Sequence, residues 1–155
     1  MPLLVAGLFL AVCSCQKDAV TTNYVEEEMG QRNGGGPYVL NMLIQLSGAN
    51  EVPPVNTTAT GTAHLRLTAD RTLYSKVIVE DLEAGDALRF SHVHSGATGV
   101  NGPVEIFLCH TADDFGKNIV TTLTEAQYNL LLNGACYVNA HSNFHPPGLV
   151  RGQVR

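Results

Sequence analysis

From Tyr38 onward the apolar residues fall on alternate positions, and that period of two constrains the fold more than any other feature of the chain. Leu40, Met42, Ile44 and Leu46 alternate with Val39, Asn41, Leu43 and Gln45; Ala63, Leu65, Leu67 and Ala69 alternate with Thr62, His64, Arg66 and Thr68. Successive side chains of an extended backbone leave opposite faces, so each run reads as a strand with one apolar side. Asp70-Arg71 turns the second run into a strand from Leu73 to Val79, a hairpin. Further strands are expected at 88–94, 104–109, 135–141 and 149–154, separated by Gly, Asn and Pro turns. The fold class that follows is mainly β: an antiparallel, Greek-key-like sandwich or barrel. One short helix, near 124–133, interrupts it. Thr124-Glu125-Ala126-Gln127 fits a capping box, Leu130, Leu131 and Leu132 supply apolar contacts, and Gly134 suits a left-handed residue ending the helix.

The first part of the chain reads differently. Leu3 to Val12 is an apolar run of signal-peptide length, too short to span a bilayer as a helix. It ends in Cys13-Ser14-Cys15 and then Gln16-Lys17-Asp18. An apolar run leading into a small residue and then Cys resembles the bacterial lipoprotein signal, with Ser14 before the cut and Val12 as the aliphatic residue. It departs from that pattern in having no Lys or Arg ahead of the apolar run. The resemblance implies lipidation of Cys15 and anchoring in the bacterial cell envelope. The expected address is the outer membrane, on its periplasmic or surface-exposed side, since Gln16-Lys17-Asp18 is similar to short surface-export signals. Acyl chains bury methylenes at about 0.8 kcal/mol each, so two or three hold a protein permanently. Residues 1–14 are thus a signal peptide and 15–37 a tether, with the acidic run Glu26-Glu27-Glu28 and the glycines 34–36; 38–155 is the domain. A net charge of −5, the absence of Trp and the lack of any Lys/Arg stripe argue against a nucleic-acid partner.

With Cys13 removed and Cys15 acylated, Cys109 and Cys136 remain as an even pair in an oxidising compartment, and a structural disulfide is expected. Its rival is a thiol or metal site, although neither Cys lies in a CxxC motif.

Four segments carry a resemblance: Leu46 to Pro54 (LSGANEVPP), Ser91 to Gly96 (SHVHSG), Gly99 to Val104 (GVNGPV), and Tyr137 to His141 (YVNAH) with Leu149 to Gln153 (LVRGQ). In this order the chain from about Leu40 to Arg155 resembles the CHRD domain, the module named after chordin and common in bacterial exported proteins. For bacterial members the resemblance implies a fold and an extracytoplasmic setting rather than an activity. Leu149-Val150 ahead of Arg-Gly departs from the usual pattern, and the Cys109/Cys136 pair is not a family hallmark.

The residues also have chemistry of their own. His92 and His94 stand two apart, so on a strand both imidazoles leave one face about 7 Å apart, and His141 shares a face with Asn139 on another strand. Three imidazoles so placed suit copper or zinc. The alternative is a structural cluster in which each ring hydrogen-bonds to backbone or turn. Leu88 and Phe90 continue the His92/His94 face. His-x-His in a small barrel is similar to copper/zinc superoxide dismutase, but that enzyme's bridging His and metal-binding Asp have no match here. His64, His110 and His145 read as surface residues. Glu51 and Arg151 are expected to form an ion pair clamping the first loop to the last strand; the rival is a mouth in which the Arg fork holds a carboxylate or sulfate. Ser91, Ser95 and Ser142 lie near histidines but in no nucleophile-elbow context. The function expected is a non-catalytic envelope binding module, contacting a protein or glycan through the loops around Glu51, His92–Asn101 and Asn143–Pro147. The alternative is a small copper or zinc protein.

Overall fold

The computed structural model describes residues 37–155; the expected signal peptide, Cys15 and all but the last residue of the expected tether lie outside them. Eight strands form one antiparallel sheet: β1 (Tyr38–Ser47), β2 (Thr60–Thr68), β3 (Thr72–Glu80), β4 (Leu88–Ser95), β5 (Val104–Cys109), β6 (Ile119–Thr122), β7 (Cys136–Ser142) and β8 (Val150–Gln153). Their order is β5-β4-β7-β8-β1-β2-β3-β6, and the sheet curls until β5 meets β3, a nearly closed barrel. The mainly β fold with one helix is therefore as the alternation predicts. β6 is the strand the sequence reading misses: four residues with neither face fully buried, joined to β3 through Thr72–Ser75.

Alternation places the core. Leu40, Ile44 and Leu46 of β1, Ala63, Leu65 and Leu67 of β2, and Leu73 and Val77 of β3 are buried inside the barrel. Val93 of β4, Ile106 and Leu108 of β5, and Cys136, Val138 and Ala140 of β7 complete it. The helix α1 (Glu125–Asn133) has the capping box that its sequence announces: Gln127 N–H donates to Thr124 Oγ1 at 3.3 Å, and Gln127 Oε1 accepts from Thr124 N–H at 2.9 Å. Gln127 Nε2 also donates to the Glu105 carbonyl at 2.7 Å, fixing the helix to β5, and Leu131 is buried in the core. Gly134 does not take the expected left-handed conformation; its φ of −90° and ψ of 154° are extended. A Cβ there would lie 2.7 Å from Leu130 Cδ1, so a larger residue would make the Leu130 side chain shift.

The disulfide expected between Cys109 and Cys136 is not formed; both are buried free thiols. Cys109 lies opposite Ser91 on one side of β4 and Cys136 opposite Ser95 on the other. Two strand spacings across and four residues along put them well over ~10 Å apart, beyond disulfide reach. Burial pushes their thiols up to about 12 and about 11, respectively, which keeps both protonated and unreactive.

The barrel is drawn tight where β8 meets β1, a contact through the single register pair Ser47↔Arg151. Gly152 faces inward there, and a Cβ would stand 2.3 Å from the Gln45 carbonyl oxygen and 2.6 Å from Ile44 Cγ2. Gly152→Ala is expected to force the two strands apart and lower stability by about 1–3 kcal/mol, read from the denaturant midpoint at unchanged m-value.

Candidate functional site

β4 and β7 are neighbours in register, with His92 opposite Asn139 and His94 opposite Tyr137. Ser91 and Val93, with Val138 and Ala140, face the core. The alternate set, His92 and His94 with Tyr137, Asn139 and His141, therefore lies on the outer face of the sheet. Loops close over that face, so His92, His94 and His141 are only 5%, 9% and 6% exposed. The structure brings together the three histidines that the sequence singled out. Their rings are 5.5 Å (His92–His94), 5.1 Å (His92–His141) and 6.4 Å (His94–His141) apart between centroids.

Aromatic rings line the cluster. Phe90 packs at 4.9 Å on His92 and 4.7 Å on His141, Phe107 meets His92 edge-on at 4.4 Å, and Tyr137 stacks on His94 at 4.9 Å with 2° between planes. Phe90 continues the histidine face, as the alternation requires. Phe107 is on β5, opposite His92 in a register that strand alternation alone does not predict.

Backbone carbonyls set two of the imidazoles. His94 Nδ1 donates to Gly102 O at 2.9 Å, and His141 Nδ1 donates to Pro146 O at 2.9 Å. A carbonyl only accepts, so each neutral ring has its hydrogen on Nδ1 and its lone pair on Nε2. His94 Nε2 and His92 Nδ1 are buried with no hydrogen-bond partner. One donor nitrogen from each of the three rings lies within 4.8 Å of the other two. A metal at ~2.0–2.1 Å from each nitrogen needs separations nearer ~3.5 Å, so the rings would have to close by roughly 1 Å to share an ion.

Charge around the cluster follows from burial. Burial, reinforced by His141, His94 and His110, pulls His92 down to about 4. Burial likewise lowers His141, and His94 and Arg89 add to this against the Pro146 carbonyl. Glu51 comes in from the loop after β1, only 6% exposed, and burial pushes its carboxyl up to about 7 against the pull of Arg151 and of hydrogen bonds from Asn139 and the Val52 backbone. Asn139 stands between Glu51 and His141, its Oδ1 3.0 Å from His141 Nε2. With its NH2 on an ionised Glu51, that contact needs a proton on His141 Nε2. Turned over, the amide offers NH2 to a neutral His141 and oxygen to a protonated Glu51. Either way one proton is held between the two.

The expected Glu51–Arg151 ion pair is not formed. Among the described residues the one ion pair within 4.0 Å is His145–Glu83. The Arg151 fork goes to the glycine-rich loop instead: Nη1 to Asn101 Oδ1 at 3.1 Å, and Nη2 to the Val100 and Ala97 carbonyls at 2.9 and 3.2 Å. Its guanidinium carbon lies 3.4 Å above the centre of the Tyr137 ring. Asn101 Nδ2 then donates to Val52 O at 2.7 Å, joining that loop to the Glu51 segment. Gly148, in the third loop, is pressed against Glu51, and a Cβ there would be 2.5 Å from Glu51 Oε1.

The serines near the histidines are engaged elsewhere. Ser91 Oγ donates to Asn139 O at 2.8 Å inside the barrel, Ser95 Oγ donates to Glu105 Oε1 at 2.9 Å, and Ser142 Oγ accepts from His145 N–H at 3.1 Å. His64 bonds Asn41 Oδ1 at 2.8 Å on the far side of the barrel, and exposed His110 stacks on Phe107 at 4.9 Å.

Glu51 gives a pH prediction with a definite sign. A carboxyl raised from 4.5 to about 7 on folding binds more proton in the native state, so its contribution to stability falls as pH rises through that window. His92, lowered from 6.5 to about 4, contributes the opposite slope below 6.5. Glu51→Gln deletes the first term and keeps the second. The variant's melting temperature minus the parent's is therefore expected to rise from pH 5 to about pH 7 and then level off, measured calorimetrically; a flat difference across that window would remove the buried, proton-holding Glu51.

No curated protein and no solved structure matches the chain. A family model, that of the CHRD domain, matches residues 42–154, the whole barrel apart from the first strand's opening residues and the terminal Arg155. The chain belongs to the CHRD domain family.

Proposed function

We propose that this chain is a non-catalytic binding module of the cell envelope, lipid-anchored through Cys15, whose ligand is one transition-metal ion, copper or zinc, held by His92, His94 and His141. One observation carries the metal reading. Two imidazole nitrogens, His92 Nδ1 and His94 Nε2, are buried without partners in one cluster with His141. Buried polar atoms are rarely left unpaired, because each costs about 1–3 kcal/mol. A single ion accepting the His92 and His94 lone pairs removes that cost, and His141 joins it by exchanging its Nε2 contact with Asn139 for the ion. The Nδ1 bonds to Gly102 and Pro146 already aim two of the rings.

The anchor is supported by the sequence pattern around Cys15; no helix among the described residues is long and apolar enough to cross a membrane. A protein or glycan partner on the same face is the second reading. It is favoured by Val100, Phe107 and Phe144, which are 53%, 45% and 54% exposed on or beside the loops around the histidines.

Elemental analysis of untagged protein tests the metal. One copper or zinc per chain is expected, lost in the His92→Ala/His94→Ala double variant, with the parent's melting temperature raised by added metal. Metal-free protein whose melting temperature ignores both ions would sink this reading and leave the partner reading standing. For the anchor, the parent is expected to sediment with membranes and to carry a diacylglyceryl mass on Cys15, while Cys15→Ser is not acylated. An unmodified Cys15 in the mature protein would exclude it.

A further inference from the structure

We propose that the His92/His94/His141 site selects a monovalent soft cation, Cu(I), over divalent zinc. The inference rests on the metal reading above and adds to it the charge of the ion.

The donor set comes first. Among the described residues the only group of His, Cys, Asp or Glu side chains placed to share an ion is this one, and all three of its members are imidazoles, which ligate as uncharged donors. Both thiols belong to the barrel core and Glu51 is held off by Asn139. Three imidazoles suit copper and zinc alike, zinc completing its shell with a water, so the donor set leaves the choice to charge. The bound ion would keep its full charge, since no donor brings a negative one.

Nothing behind the ligands offsets that charge. A metal-bound imidazole gives its other N–H to a carboxylate, a backbone carbonyl or water, and of these only the carboxylate shares the positive charge. Here His94 and His141 back onto the Gly102 and Pro146 carbonyls, which are dipoles without net charge. The Arg89 guanidinium, which acts on His141, adds positive rather than negative charge beside the cluster. Glu51, the acid nearest in the network, lies beyond Asn139 and has Arg151 as its positive neighbour. The rings of Phe90, Phe107 and Tyr137 form the walls at 4.4–4.9 Å. In such surroundings the cost of removing an ion from water grows with the square of its charge, about fourfold from monocation to dication. Neutral donors, neutral backing and apolar walls thus penalise zinc far more than Cu(I).

The test uses the full untagged chain, titrated without oxygen with Cu(I) against a chromophoric Cu(I) chelator, and separately with Zn(II) against a chromophoric zinc chelator. One Cu(I) per chain is expected, bound at least about 100-fold more tightly than Zn(II) and lost in His92→Ala/His94→Ala. Asn139→Asp places a carboxylate at the same position as the amide. It is expected to tighten Zn(II) by about the square of the factor by which it tightens Cu(I), roughly tenfold against roughly threefold, because the added attraction scales with the ion's charge. Histidine-dependent Zn(II) binding as tight as Cu(I), or an Asn139→Asp variant that tightens both ions equally, would overturn the charge selection and leave the metal site intact. Binding of neither ion, or binding indifferent to the histidines, would overturn the metal reading and this inference together.

Discussion

The buried Arg151 guanidinium holds the histidine-bearing face in shape. A cation that is 2% exposed needs its hydrogens satisfied, and here carbonyl dipoles, one amide oxygen and the face of Tyr137 do so rather than an adjacent carboxylate. The loop between β4 and β5 is thereby held over the outer face of β7 and β8. Two consequences follow. Gly102 O is positioned to accept from His94 Nδ1, and Asn101 is positioned to donate to Val52 O and fix the approach of Glu51. Two loops that are far apart in sequence converge because one side chain from the last strand supplies donors to the first of them and Asn101 passes the restraint to the second.

Chain topology explains why the loops can meet. β4, β7 and β8 are consecutive in the sheet, and β8 is followed by β1, whose exit carries Glu51. Ser47 lies opposite Arg151, so the start of the Glu51 loop and the root of the guanidinium are adjacent by register. Gly152 permits that closeness on the core side, and Asn50 Nδ2 donates to Arg151 O at 3.1 Å on the other. The same local pairing therefore closes the barrel and sets the site.

The sequence made the barrel legible because strand alternation is a local property. The hairpin at Asp70-Arg71, the β5 bounds and the Thr124 capping box all depend on residues a few positions apart, and each is found where its pattern lies. What it hid were relations set by register between distant strands. The even count of Cys109 and Cys136 argued for a bond, but cysteine arithmetic carries no distance, and the flanking of β4 separates them. Glu51 and Arg151 have opposite charges and do lie in one network, yet a guanidinium has five donors and the loop carbonyls take them first. Arg66 and Thr68 occupy alternate positions expected to be wet, and the structure buries both, Arg66 near the rings of Tyr38 and Tyr74. The strand β6 was hidden for another reason: with half-buried Ile119 and Thr121 between exposed Val120 and Thr122, it lacks a strongly apolar face to recognise.

The histidines were legible as a set because i, i+2 on a strand fixes a shared face; which face was not. Phe90 on the same side suggested apolar burial, and the structure provides it from outside, with loops and rings rather than barrel core. The two readings of the cluster, a hydrogen-bonded structural group and a metal site, also cease to compete once the nitrogens are assigned. An imidazole has two: in His94 the carbonyl bond at Nδ1 leaves Nε2 without a partner, and in His141 the same bond leaves Nε2 to Asn139 at 3.0 Å. In both rings the Nδ1 bond fixes the direction of Nε2. His92 lacks such a restraint at Nδ1 and is instead wedged between Phe90 and Phe107, so packing orients it. Burial that pulls His92 to about 4 keeps this ring uncharged at neutral pH, and an uncharged ring retains the lone pair on which any ligation depends.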